Sequence, residues 1–121
     1  MAGTQLNRAI GGITPLGVIT ITAGTPQQVT KNLNLTDKRY TFGCRQLGFS
    51  VDSSPSGEVY VNYGNVAGKD TYATAMIIQS GTVQAMPGGS GVTEGEIDAA
   101  KWYLDGSTSC VVSIYAADAT S

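Results

Sequence analysis

Histidine is missing altogether from this 121-residue sequence. Its absence removes Ser-His-Asp and Cys-His nucleophilic catalysis, the paired-histidine zinc motif and any imidazole proton shuttle. Charge is scarce as well: only 13% of residues are Lys, Arg, Asp or Glu, with seven cations against nine anions, a net charge of -2 and a pI near 4.8. The cations are scattered, so no basic patch marks a nucleic-acid partner, whose phosphates call for clustered Lys and Arg. No apolar run approaches the roughly 20 residues of a membrane helix, and Met1 to Arg8 lacks the charged start and apolar stretch of an export signal. With two cysteines there is no disulfide lattice either. The expectation is a non-enzymatic protein without catalytic residues, metal or cofactor, which binds neither nucleic acid nor membrane.

What is present is apolar and conformationally permissive: 41% of residues are hydrophobic and 16 are glycine. A chain of this length buries about two thirds of its unfolded surface, enough for one domain with its own core. Thr, Ser, Asn and Gln stand where a soluble monomer usually carries Lys and Glu. They solvate a surface without repelling neighbouring copies, which fits a protein that lives at interfaces.

Met1 to Pro15 mixes glycines with isolated Leu6, Ile10 and Ile13 and holds no period for long, so residues 1–15 read as an N-terminal arm and 16–121 as the domain. From Leu16 onward short β-branched runs are cut by Gly, Pro, Asn and Asp about every ten residues. That is the pattern of an all-β domain, a single β-sandwich or β-barrel of jelly-roll-like type. Val18 to Thr22 puts Ile19 and Ile21 on one face; Gln27 to Leu35 reads as a weak edge strand; Leu47, Phe49 and Val51 alternate, with a bulge expected near Gly43. Asp52 to Gly57 predicts a turn that pairs this strand with Glu58 to Tyr63 as a hairpin, and Ser80-Gly81 predicts a second hairpin. Thr93 to Glu96 matches a capping box ahead of one helical turn, which gives way to a strand at Trp102 to Leu104. Asp105 to Ser107 is read as a turn into Ser109 to Tyr115, whose two apolar faces predict a central strand or a subunit contact.

Candidate chemistry is thin. Cys44 and Cys110 are expected as buried thiols, the alternative being a bridge that closes 110 - 44 = 66 residues and stabilises by about 4 kcal/mol. Gly88-Gly89-Ser90-Gly91 fails the nucleophile-elbow pattern because Val92 stands where glycine is required, and it lacks a phosphate-loop lysine. Asp52, Asp70, Asp98, Asp105 and Asp118 lie singly, in places where Asp caps and bonds turns. Asn34-Leu35-Thr36 is a glycosylation sequon only in a eukaryotic secretory route. Tyr60, Tyr63, Tyr72, Trp102, Tyr103 and Tyr115 are candidates for a sugar platform or an interface, and Tyr60 faces away from Val59, Val61 and Tyr63.

The order of segments Ile21-Thr22-Ala23-Gly24-Thr25-Pro26-Gln27-Gln28-Val29, Leu47-Gly48-Phe49-Ser50-Val51, Ser56 to Val61, Glu96 to Gly106 and Val111 to Tyr115 resembles small all-β virion proteins of tailed bacteriophages. The likeness is greatest to capsid decoration, or cement, proteins, and spans residues 19 to 116. The cysteines, the Gly64 to Thr74 insertion and the weak strand after Gln27 depart from that pattern. The resemblance implies a structural protein on the outside of the assembled head, made in the bacterial cytoplasm. Its partners would be the major capsid protein and copies of itself, with a trimer favoured. A tail or fibre module that binds host-surface glycan is the alternative. Leu6, Ile10, Ile13, Tyr60 and Tyr115 are the candidate partner-binding residues.

Overall fold

A computed structural model describes residues 13–33, 43–87 and 97–117. Ten strands run through them: β1 (Ile13–Thr20), β2 (Gln27–Gln28), β3 (Gly43–Cys44), β4 (Gln46–Val51), β5 (Glu58–Tyr63), β6 (Thr74–Gln79), β7 (Val83–Pro87), β8 (Ile97–Asp98), β9 (Trp102–Gly106) and β10 (Val111–Ala117). They assemble as a four-stranded sheet ordered β1-β10-β4-β7, a second ordered β2-β9-β5-β6, and the small pair β3-β8. All pairings are antiparallel.

The pairings follow from two long ribbons, each bent from one sheet to the other. In the first, β4 continues into β5 and returns as β6 and β7, so that β4 pairs with β7 and β5 with β6. In the second, β1 and β2 run against β10 and β9. Two ribbons folded in this way are the connectivity of a jelly roll, and the expected all-β class is realised as a sandwich, not a closed barrel.

Neither predicted hairpin forms. The 52–57 segment leads from β4 in the first sheet to β5 in the second, and Ser80-Gly81 leads back from β6 to β7. Both are corners, stacked on each other: the Gly81 N–H donates to the Val51 carbonyl at 2.9 Å and the Ser80 N–H to that of Gly57 at 2.9 Å. The turn residues are those of a sharp reversal, but the strands they join find longer apolar ladders with other partners. The hairpin that does form joins β5 to β6 through residues 64–73.

Alternation sets the core as expected, with Ile19, Ile21, Leu47, Phe49, Val51, Val59, Val61, Leu104, Val112 and Ile114 buried between the sheets. At 25 cal/mol per Å², each such side chain stabilises by about 1.5–3 kcal/mol. The first strand starts earlier than its sequence pattern. Ile13 to Pro15, the end of the predicted arm, already pair with Ala117, Ala116 and Tyr115. A bulge at Pro15/Gly17, with Gly17 at φ 125, shifts the parity so that Leu16 and Ile19 both face inward. This break in alternation is what makes the segment look non-periodic. A similar shift at Arg45 lets Cys44 and Leu47 share the interior, close to the predicted bulge.

The Gln27 strand is a two-residue edge, as its weak pattern implies. The Thr93 to Glu96 capping box lies outside the described residues. A 3₁₀ turn at Ala99–Lys101 precedes β9, capped by Asp98, whose Oδ1 accepts from the Ala100 N–H. Cys44 and Cys110 are buried thiols and are not bridged to each other. No helix among the described residues is long and apolar enough to cross a membrane.

Candidate functional site

Directly paired residues in a sheet share a face, so the register defines the outer surface of the first sheet. Its rows are Ile13, Ala117 and Gln46; Pro15, Tyr115, Gly48 and Ala85; Val18, Ser113, Ser50 and Val83; and Thr20 with Val111. None of these carries a charge. Ile13 and Val83 are 66% exposed and Val18 55%. The large side chains left in water stand on the two edge strands, Ile13 and Val18 on β1 and Val83 on β7, with the uncharged Ser113 and Ser50 between Val18 and Val83 in their row.

Tyr115 is half-buried because it lies down on that face. It pairs with Gly48 on β4, and a Cβ on Gly48 would sit 1.9 Å from the Tyr115 Cζ. The absent side chain is what lets the ring lie flat, so the sheet presents a low, smooth surface. Among the sequence-predicted contact residues, Ile13 and Tyr115 thus share one face. Leu6 and Ile10 lie outside the described residues.

Tyr60 lies elsewhere, on the outer side of the second sheet, and only 7% of it is exposed. The 64–73 loop folds back over this side. Asn62 is fully buried there, its Nδ2 donating to the Val66 and Gly68 carbonyls and its Oδ1 accepting from the Thr74 hydroxyl. Asp105, read from sequence as a turn residue, is an interior position of β9. Its carboxylate accepts from the backbone N–H groups of Gly24 at 2.8 Å, Gly68 at 2.6 Å and Gly106 at 2.8 Å. The Asp-Gly pair suggests a turn, yet the Asp is needed to tie two loops to the sheet.

At the rim of this region the Lys69 Nζ stands 3.1 Å from Glu58 Oε1 and 5.6 Å from the centre of the Tyr60 ring. Hydrogen bonds from the Gln79 amide, first, and from Lys69 hold the Glu58 carboxyl below the ordinary glutamate range; the same Glu58 contact raises Lys69. Tyr72, at the loop tip, is 98% exposed. Asp70 shapes that tip by accepting from the Tyr72 and Ala73 N–H groups.

A third feature lies where the inward row of β5 runs out of the sandwich. Tyr63 pairs with Trp102 on β9, the rings meeting edge to face with centroids 5.1 Å apart. With Ile97, Asp98 and Lys101 they line a cleft of about 370 Å³. No single stretch of sequence holds these residues, and only the β5–β9 ladder joins them.

Among the described residues no cluster of three or more His, Cys, Asp or Glu side chains is placed to hold a metal ion. Comparison with known proteins finds no matching family, curated protein or solved structure.

Proposed function

We propose that this chain is a structural protein of a tailed-bacteriophage virion, a decoration or cement protein that sits on the outer surface of the assembled head and ties neighbouring capsomers together. The observation that supports it most is the uncharged outer face of β1-β10-β4-β7, with Ile13, Val18 and Val83 exposed around the flat Tyr115–Gly48 contact. A surface of that kind binds other protein: it loses little on desolvation and gains about 25 cal/mol for each Å² of apolar area covered. The jelly roll is a fold of viral capsid proteins among others, which agrees with the reading at the level of fold alone.

In this reading the partners are the major capsid protein and further copies of the chain, assembled as a trimer in the cytoplasm of the bacterial host. The chain has no catalytic role and does its work by mass action. A molecule that binds the assembled lattice and not its free subunits stabilises the lattice by RT ln(1 + [L]/Kd) at each site. Joining three copies multiplies the effect through avidity.

The test is imaging of intact particles together with binding of the purified chain to tail-less heads. Retention on heads in excess host polysaccharide, and a solution mass that is a multiple of 12.5 kDa, are expected. Density on the tail, with no retention on heads, overturns the proposal in favour of a tail or fibre module.

A further inference from the structure

We infer that the cleft lined by Tyr63, Trp102, Ile97, Asp98 and Lys101 binds the ring of a neutral sugar. Its volume of about 370 Å³ lies at the lower end of the range of roughly 300–1,000 Å³ for small-ligand sites. This inference concerns a different surface from the apolar sheet face and does not depend on where the chain sits on a particle.

A pyranose presents an apolar C–H face with hydroxyls around its edge. The cleft offers the counterpart of both. Tyr63 is 55% exposed beside Trp102, which itself packs on the core, so aromatic surface stays in water although the neighbouring Val59 and Val61 are fully buried. Among the lining residues Asp98 brings a carboxylate acceptor and Lys101 an ammonium donor. Their charges are opposite, so the pair favours neither an anionic nor a cationic ligand. A stacked nucleobase would bring phosphates with it, and against these the described lining of the cleft has one cation, on a chain of net charge -2.

The walls are fixed before any ligand arrives. The Tyr63 N–H donates to the Ala73 carbonyl at 2.9 Å and the Gly64 N–H to that of Lys101 at 2.8 Å. Asp98 is held at the start of the 3₁₀ turn, where its Oδ1 accepts from the Ala100 N–H at 3.1 Å. A preformed site loses less on binding than one that must be ordered.

Trp102 is the single tryptophan of the chain, so its fluorescence reports this cleft alone. The experiment titrates the full chain with neutral oligosaccharides of glucose, galactose and N-acetylglucosamine. At least one should give a saturable change with a Kd on the order of 1 mM, as befits a shallow one-ring site. Tyr63→Phe should retain the binding and Tyr63→Ala weaken it at least tenfold, with both variants melting cooperatively. No saturable change at tenfold higher sugar overturns the inference. So does a response to a single-stranded oligonucleotide in place of sugar, or equal sugar binding by Tyr63→Ala.

Discussion

The two sheets of this sandwich turn opposite kinds of surface outward. On the second, the chain covers the middle of its own face: the 64–73 loop is laid over β5 and β9 and fixed by Asn62 and Asp105, which leaves Tyr60 7% exposed while its partner Ile77 on the edge strand β6 is still 41% exposed. On the first, nothing of the described chain covers Ile13, Val18 or Val83, and no charged side chain stands in the described rows of the face. Both sheets are four-stranded and antiparallel, so the contrast comes from side-chain chemistry. Buried amide and carboxylate groups demand bonding partners and draw backbone over themselves, whereas valine and isoleucine make no such demand and wait for another molecule.

The comparison breaks most readily at Asp105. Asp105→Ala leaves three backbone N–H groups without their acceptor, and an unsatisfied donor costs about 1–3 kcal/mol when water cannot replace the bond. Because the loop positions are only partly buried, a loss of about 3 kcal/mol is expected, with the 64–73 segment becoming sensitive to protease in the folded protein. Urea melts and limited proteolysis measure the two effects. A variant as stable and resistant as the parent would mean that the carboxylate does not close this face.

Gly48→Ala probes the flatness of the other face. The new methyl meets the Tyr115 ring and must lift it, an overpacking cost of about 1–3 kcal/mol. In a Tyr115→Ala background the same change should cost far less, and that non-additivity identifies the contact. Equal losses in both backgrounds would place the strain in the β4 backbone instead.

Val18→Lys and Val83→Lys alter the exposed face with little effect on the fold, within about 0.5 kcal/mol. Association should nevertheless collapse, seen as a fall in solution mass and loss of head binding. If the charged variants assemble as the parent does, the apolar face is not the contact surface and the contrast between the sheets has no functional meaning.

Much of this architecture was legible in residue spacing. The alternations Ile19/Ile21, Leu47/Phe49/Val51 and Val59/Val61 point inward as their parity demands, because a strand has only two faces and water selects between them. The corners were not legible: Asp52 to Gly57 carries the residues of a reversal, but which sheet receives the next strand depends on pairing with β10 and β7 far along the chain. The bulge at Gly17 hid the start of β1 by breaking its period. Of the proposed surfaces, the outward parity of Val18 opposite Ile19 was readable. The meeting of Tyr63 with Trp102 was not, since it is a product of strand register. Asp105 was misread because an Asp-Gly pair signals a turn in any local reading, and its three donors come from separate parts of the chain.

The smallest effect expected separates the two faces by pH. Glu58 and Lys69 sit at the rim of the closed face, and no carboxylate or ammonium lies in the described rows of the open one. The Glu58 carboxyl is held below its ordinary range by the Gln79 amide and Lys69, so the folded state favours its ionised form. Its contribution is therefore complete above the ordinary glutamate value of about 4.3 and is lost as pH falls through the lower folded value. Lys69 is raised by the same partner. Its contribution is complete below about 10.4 and disappears as pH climbs through the higher folded value. Both groups are solvent-screened, so the steps are small and shrink further with added salt. Melting curves of the parent and of Glu58→Gln across the acid range should converge as the pH drops, with the gap at neutral pH narrowed by high salt. Parallel curves at every pH would show that the pair leaves the loop unaffected, and the closure of that face would then rest on Asn62 and Asp105.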